Sequence, residues 1–182
     1  MKTLAINAYS FSELKGEAKR RAMEWINDAT FSDSFWSESI TDDAKTVGGI
    51  LGLNIEAIYW DQDLNITLEG RYSYARGWKK ALKAYAPIDK DLPIIGQELQ
   101  NLQKKCNWVY SATIRQSWKN SISIESDYPE SDDNLASVIK SFCQWASHNL
   151  QSEANYLESE EYMKDMADAN DWLFDEKGRI IR

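Results

Sequence analysis

Residues 131–158 read SDDNLASVIKSFCQWASHNLQSEANYLE, and the spacing of their side chains decides the fold. Leu135, Val138, Ile139, Phe142, Ala146, Asn149 and Leu150 recur at helical intervals, with Trp145 and Leu157 flanking the same stripe. Ser131 offers an N-cap. Asp132 and Asp133 stand where the positive end of the helix dipole favours acids. At a rise of about 1.5 Å per residue such a helix spans roughly 40 Å, the width of a small domain. It is the one element long enough to support a sheet along its length.

The strands of that sheet lie upstream. LNIEAIYW (53–60) puts Ile55, Ala57 and Tyr59 on one face and Ile58 and Trp60 on the other. ITLEGRYSY (66–74) alternates with Ile66, Leu68, Gly70 and Tyr72 inward and Thr67, Glu69 and Arg71 outward. The turn DQDLN joins them into an antiparallel hairpin. VYSATIRQSW (109–118) and SISIES (121–126) form a second hairpin across Lys119 and Asn120, with Ile114, Ile122 and Ile124 as core candidates. Around these come helices. From Ser12, Leu14, Ala18, Ala22, Trp25, Ile26 and Ala29 share a face, with Gly16 weakening the helix locally. A helix from Phe35 turns Phe35, Ile40, Ala44 and Val47 inward and ends at Gly48, Gly49 and Gly52. Trp78, Leu82 and Tyr85 mark a short helix stopped by Pro87, and Leu92, Ile95, Leu99, Leu102 and Cys106 mark another. KTLAINAY (2–9) has the weak alternation of an edge strand. Ser159 caps a last helix, and WLFDEKGRII turns at Lys177–Gly178 as a small hairpin. The expectation is an α+β fold with a mainly antiparallel sheet of about four strands packed against helices. Its 182 residues suit a single domain, 1–182, with 159–182 as a helix–hairpin appendage.

Charge is distributed unevenly. Residues 71–119 carry 10 basic and 3 acidic side chains, whereas 125–176 carry 2 basic and 14 acidic, within a net charge of −8. Eight Trp and nine Tyr exceed what filling a core of this size needs, so some rings belong at a surface, where they anchor interfaces. Two scattered cysteines, Cys106 and Cys143, fit a reducing cytoplasm better than a disulfide framework or a zinc site. MKTLAINAYSF lacks the apolar core of a signal peptide, and no run approaches a membrane span. A cytoplasmic protein follows from these features.

Catalytic signatures are scarce. His148 and Cys143 sit about 140° apart around their helix, so they form no local nucleophilic pair, although Cys106 could meet His148 across the fold. Asp42/Asp43, Asp132/Asp133 and Glu160/Glu161 are neighbours at expected helix starts, where dipole compensation accounts for them. The glycines at 48–52 follow a helix and precede a strand, the reverse of a phosphate loop. No catalytic residue, metal site or cofactor is assigned, and enzyme activity is not expected. A hydrolase drawing carboxylates from distant segments is the remaining catalytic alternative.

Taken together, FSELKGEAKRRAMEW (11–25), GGILGLNIEAIYW (48–60), EGRYSYARGWKKALKAYAPIDKDLPIIGQELQNLQ (69–103) and YLESEEYMKDMADANDWLFDEKGR (156–179) resemble a family of small phage and prophage proteins catalogued as antitoxins of toxin–antitoxin systems. In that family the first hairpin carries a longer Gly/Ser- and aromatic-rich insertion, where this chain has only Asp61 to Asn65. The resemblance implies a phage-borne protein that binds and neutralises a bacterial protein, as an antitoxin or as an inhibitor of a defence system such as a CRISPR effector. Glu153, Glu158, Glu160, Glu161 and Asp165 would meet a basic partner, with aromatic rings as anchors. The alternative is a nucleic-acid-binding accessory protein using Arg71, Arg76, Trp78, Lys79, Lys80 and Lys83, where cations interleave with rings.

Overall fold

The computed structural model describes residues 7–32, 34–117 and 121–181. The expected edge strand at 2–9 falls largely outside them, as does the link at Lys119–Asn120. The chain divides into two compact units, Met1–Ser37 with Ser152–Arg182 and, between them in sequence, Glu38–Gln151. The first is the terminal unit and the second the sheet unit.

The sheet unit holds β1 (Leu53–Trp60), β2 (Ile66–Tyr72), β3 (Ala112–Ser117) and β4 (Ser121–Ser126), all antiparallel and in chain order. The fold class is therefore α+β, as the hydrophobic patterning requires. One departure is a β-bulge between Ile55 and Ala57. It adds Glu56 to β1 without a partner and reverses the alternation downstream, so Ile55, Ile58 and Trp60 line the face of Leu68 and Ile66. Ala57 and Tyr59 lie on the opposite face, with Glu69 and Thr67. Uniform alternation misassigns them. Thr67, expected outward in solvent, is itself buried. Gly70 sits beside the bulge, where an added Cβ would lie 2.2 Å from the Asn54 carbonyl oxygen.

Helix α5 (Asp132–Leu157) crosses this sheet, and its sheet-unit part buries Leu135, Val138, Ile139, Phe142, Cys143, Ala146 and Leu150. At its start Asp132 accepts hydrogen bonds from Tyr110 Oη (2.7 Å) and Ser126 Oγ (2.6 Å), which ties it to the end of β4. Fifteen residues later Ser147 Oγ accepts the Ile66 amide at 2.8 Å, at the start of β2. These two ties, about 22 Å apart along the helix, set its direction over the strands. Asp132 is thus a structural acceptor as well as a dipole partner.

Beside it, α4 (Leu92–Lys105) buries Leu92, Ile95, Leu99 and Leu102 and accepts the Tyr72 hydroxyl at Leu99 O (3.2 Å). Helix α3 (Trp78–Tyr85) is pinned to α4 where the Trp78 ring lies over Gly96. Helix α2 (Phe35–Leu51) runs through Gly48 and Gly49 and ends only at Gly52, whose φ of +90° starts the turn into β1. Gly48 lies within the helix against Ile55, where a Cβ would sit 2.6 Å from Ile55 Cδ1 and only glycine fits without a shift. Asp42 and Asp43 fall in mid-helix, not at its start, and Asp43 accepts the Tyr85 hydroxyl at 2.6 Å.

The terminal unit joins the two chain ends. A 3-10 turn at Phe11–Glu13 precedes α1 (Gly16–Thr30), which starts at Gly16 and not at Ser12, since Gly16 has a φ of +54°. Ala29, expected inward, is exposed. Helix α6 (Glu160–Ala169) is capped by Ser159 Oγ, which accepts the Tyr162 amide. Phe11, Leu14, Ala22, Ile26, Met163, Ala167 and Phe174 form the core, edged by Tyr9, Trp25, Trp172 and Ile180. Tyr9 and Phe174 exchange backbone hydrogen bonds of 2.9 Å, and Phe174 bridges Ile180. The closing turn is real but shorter than a hairpin of named strands. Gly178 (φ +76°) lies against α1, where a Cβ would sit 1.9 Å from Ala18 O. So residues 159–181 do not stand alone; they complete a core begun by α1.

Candidate partner-binding groove

In the terminal unit, the C-terminal turns of α5, the start of α2 and one side of α6 enclose a cavity of about 420 Å³. Local periodicity places its walls. Glu153 and Leu157 are four apart on α5, and Tyr162 and Met166 are four apart on α6, so each pair presents side by side. Phe35, Trp36 and Trp172 supply the remaining rings. Trp36 packs edge-on to Phe31 (5.1 Å between centroids) and Trp172 edge-on to Trp25 (4.9 Å), which fixes both indoles. Phe35, expected in the core, is 75% exposed; as the first residue of α2 it precedes the turn where the buried stripe begins.

The predicted acids border this groove unevenly. Glu153 lies within it and is half-buried. Around α6 the order of stripes is acids (Glu161, Asp165, Asp168), then groove (Tyr162, Met166), then core (Met163, Ala167). Glu161 and Asp165 are like charges four apart, an arrangement that costs an isolated helix about 0.3 kcal/mol. Glu158 is also exposed. Glu160 alone is engaged, by Lys19 Nζ at 2.5 Å. Among the described residues, Glu153, Glu158, Glu161, Asp165 and Asp168 make no ion pair. The sequence picked out Glu153, Glu158, Glu160, Glu161 and Asp165 but not Asp168, nor as site residues Phe35, Trp36, Tyr162 and Trp172, whose only such signal was the surplus of aromatic residues.

The basic segment is arranged differently. Arg71 projects from the outer sheet face towards Glu56, 3.5 Å away, while Lys79, Lys80 and Lys83 lie on α3. Arg76, Lys80 and Lys83 are exposed, and Lys79 Nζ donates to Gln97 Oε1 at 2.8 Å and lies over the Trp78 ring. Trp78 is 7% exposed with its ring against Gly96, so it offers no face on which a base could stack. That corrects its inclusion in a nucleic-acid surface. Tyr72, from the same aromatic run, is buried as well.

Burial pushes the Cys143 thiol up to about 12, away from the thiolate that nucleophilic chemistry needs. Cys106 Sγ lies 3.3 Å from Ser131 Oγ, at the start of α5, while His148 lies about 24 Å further along that helix. The two do not meet. Among the described residues no group of three or more His, Cys, Asp or Glu could hold a metal ion, and no helix is long and apolar enough to cross a membrane. Compared with known protein families, curated proteins and solved structures, the chain matches none.

Proposed function

We propose that this chain is a non-catalytic protein that binds a basic bacterial protein and neutralises it, with the acid-bordered aromatic groove of the terminal unit as its working surface. The observation that carries the reading is the conjunction in that unit of accessible rings and carboxylates without ion pairs. Rings supply desolvated anchor area, and uncompensated acids steer a cationic partner and select its orientation. In the sheet unit, by contrast, the outer-face charges Glu56 and Arg71, and Arg115 and Glu125, face one another at 3.5 Å and 3.4 Å. The family resemblance gives the biological setting: a phage-encoded, antitoxin-like protein or an inhibitor of a defence system such as CRISPR, acting in the cytoplasm of the host cell.

The test is capture from bacterial lysate by the tagged chain, with and without nuclease. The expected result is one basic protein retained near equal stoichiometry after nuclease and lost when Glu158, Glu161 and Asp165 are changed to Lys. Retention that disappears with nuclease would instead assign the working surface to Arg76, Lys80 and Lys83, as a nucleic-acid-binding accessory protein requires.

A further inference from the structure

Resting on that reading, we infer that the groove receives an arginine side chain of the basic partner, held between the aromatic rings and the Glu153 carboxylate. Glu153 decides the chemistry. It is half-buried beside Trp36, Tyr162 and Trp172 and makes no ion pair among the described residues. A purely apolar anchor would take this carboxylate further from water without a partner, which is costly. A cation removes that cost and gains from the ring faces as well.

Arginine fits better than lysine. Its guanidinium is planar and weakly hydrated, stacks on aromatic faces and presents paired N–H donors to a carboxylate. Its aliphatic stem would lie along Leu157 and Met166, the apolar members of the two helical pairs. Phe35, exposed at the rim, would close over the stem. The cavity of about 420 Å³ is larger than one side chain, leaving room for the residues on either side of the arginine. The acid stripe of α6 would meet further cations of the same segment.

The experiment titrates acetyl-Ala-Arg-Ala-amide into the full ¹⁵N-labelled chain and follows the indole N–H signals of all eight tryptophans. Peptides with citrulline or lysine in place of arginine serve as controls; citrulline keeps the shape and loses the charge. We expect saturable shifts confined to Trp36 and Trp172, weakened roughly tenfold by citrulline, as loss of a charge-assisted hydrogen bond implies. Glu153→Gln should weaken the arginine response to a similar degree, and Phe35→Ala should weaken it less. Equal responses to arginine and citrulline, indifference to Glu153→Gln, or a dimer whose groove is filled by a second copy and gives no response would each overturn the inference. Capture from lysate separates the two levels. Partner retention that survives Glu153→Gln with Phe35→Ala, yet fails on reversal of Glu158, Glu161 and Asp165, removes the arginine site and leaves the antagonist reading standing. A specific arginine response without acid-dependent capture keeps the site and removes that reading.

Discussion

The sheet unit is assembled from sequence neighbours, whereas the terminal unit is assembled from opposite ends of the chain. Every strand of the sheet pairs with the next one along. In the terminal unit Tyr9 pairs with Phe174, Gly178 presses on Ala18, and Lys19 reaches Glu160. The hairpins β1–β2 and β3–β4 close short loops, and β2–β3 pairing encloses only α3 and α4. Joining the ends of a 182-residue chain closes a long one and must be secured by a few specific contacts. The terminal unit therefore adds close contacts such as Gly178 on Ala18 to its core of Phe11, Ile26, Met163 and Phe174, while the sheet unit rests on a broad apolar face.

Substitutions confined to one unit break this comparison most directly. Phe142, fully buried on α5 and 5.5 Å from the Trp145 ring, anchors the sheet unit. Phe142→Ala should cost about 4 kcal/mol in urea unfolding. Gly178→Ala forces a Cβ against Ala18 O at a positive φ and should cost about 3 kcal/mol. Its effect should appear first as lost hydrogen-exchange protection in α1 and α6, with β1–β4 still protected. Equal loss in both units would show that they unfold as one. Ser147→Ala is milder: it strands the Ile66 amide and should lower stability by about 1 kcal/mol, read as a lower urea midpoint at unchanged slope.

Acid and alkali should separate the units too. The Asp175 carboxylate accepts the backbone N–H of Arg179, then its side chain, then the backbone N–H of Lys177, and is held below the ordinary Asp range. Because its folded pKa is lowered, the unfolded chain takes up the proton first. The stabilisation is present above about pH 3.9 and fades as pH falls through the folded value. Thermal melts of the terminal unit should therefore weaken in acid, and Asp175→Asn should flatten that dependence. In the sheet unit, burial raises the Tyr72 hydroxyl to about 12, and burial with the Asp132 hydrogen bond raises Tyr110. Stability from these groups is full below about pH 10 and is lost as pH rises through the folded values. Tyr72→Phe should make the alkaline limb shallower without changing the acid one.

The same division marks what the sequence made legible. Leu135 through Leu150, Leu92 through Cys106 and the strand alternation of β2 are local periodicities, and each predicts its element. Glu56 leaves no such trace, since a bulge depends on what the neighbouring strand can accept. Trp78 looked like an aromatic beside lysines; its burial depends on Gly96, on the next helix and outside its own pattern window. The start of α1 at Gly16 and the end of α2 at Gly52 coincide with positive φ angles that helix propensity does not show. The groove was legible only in part. Its acids stood out as a charge run, but its rings come from residues 35–36, 162 and 172, and only the fold gathers them.

The proposal places partner binding on the terminal unit and not on the basic segment. The most direct measurement is parallel capture from nuclease-treated bacterial lysate by three forms of the chain. These are the wild type, Glu158→Lys with Glu161→Lys and Asp165→Lys, and Arg76→Glu with Lys80→Glu and Lys83→Glu. The wild type and the Arg76/Lys80/Lys83 variant should retain the same basic protein near equal stoichiometry, while the Glu158/Glu161/Asp165 variant loses it. Retention by the acid-reversed form with loss from the base-reversed form would contradict the proposal.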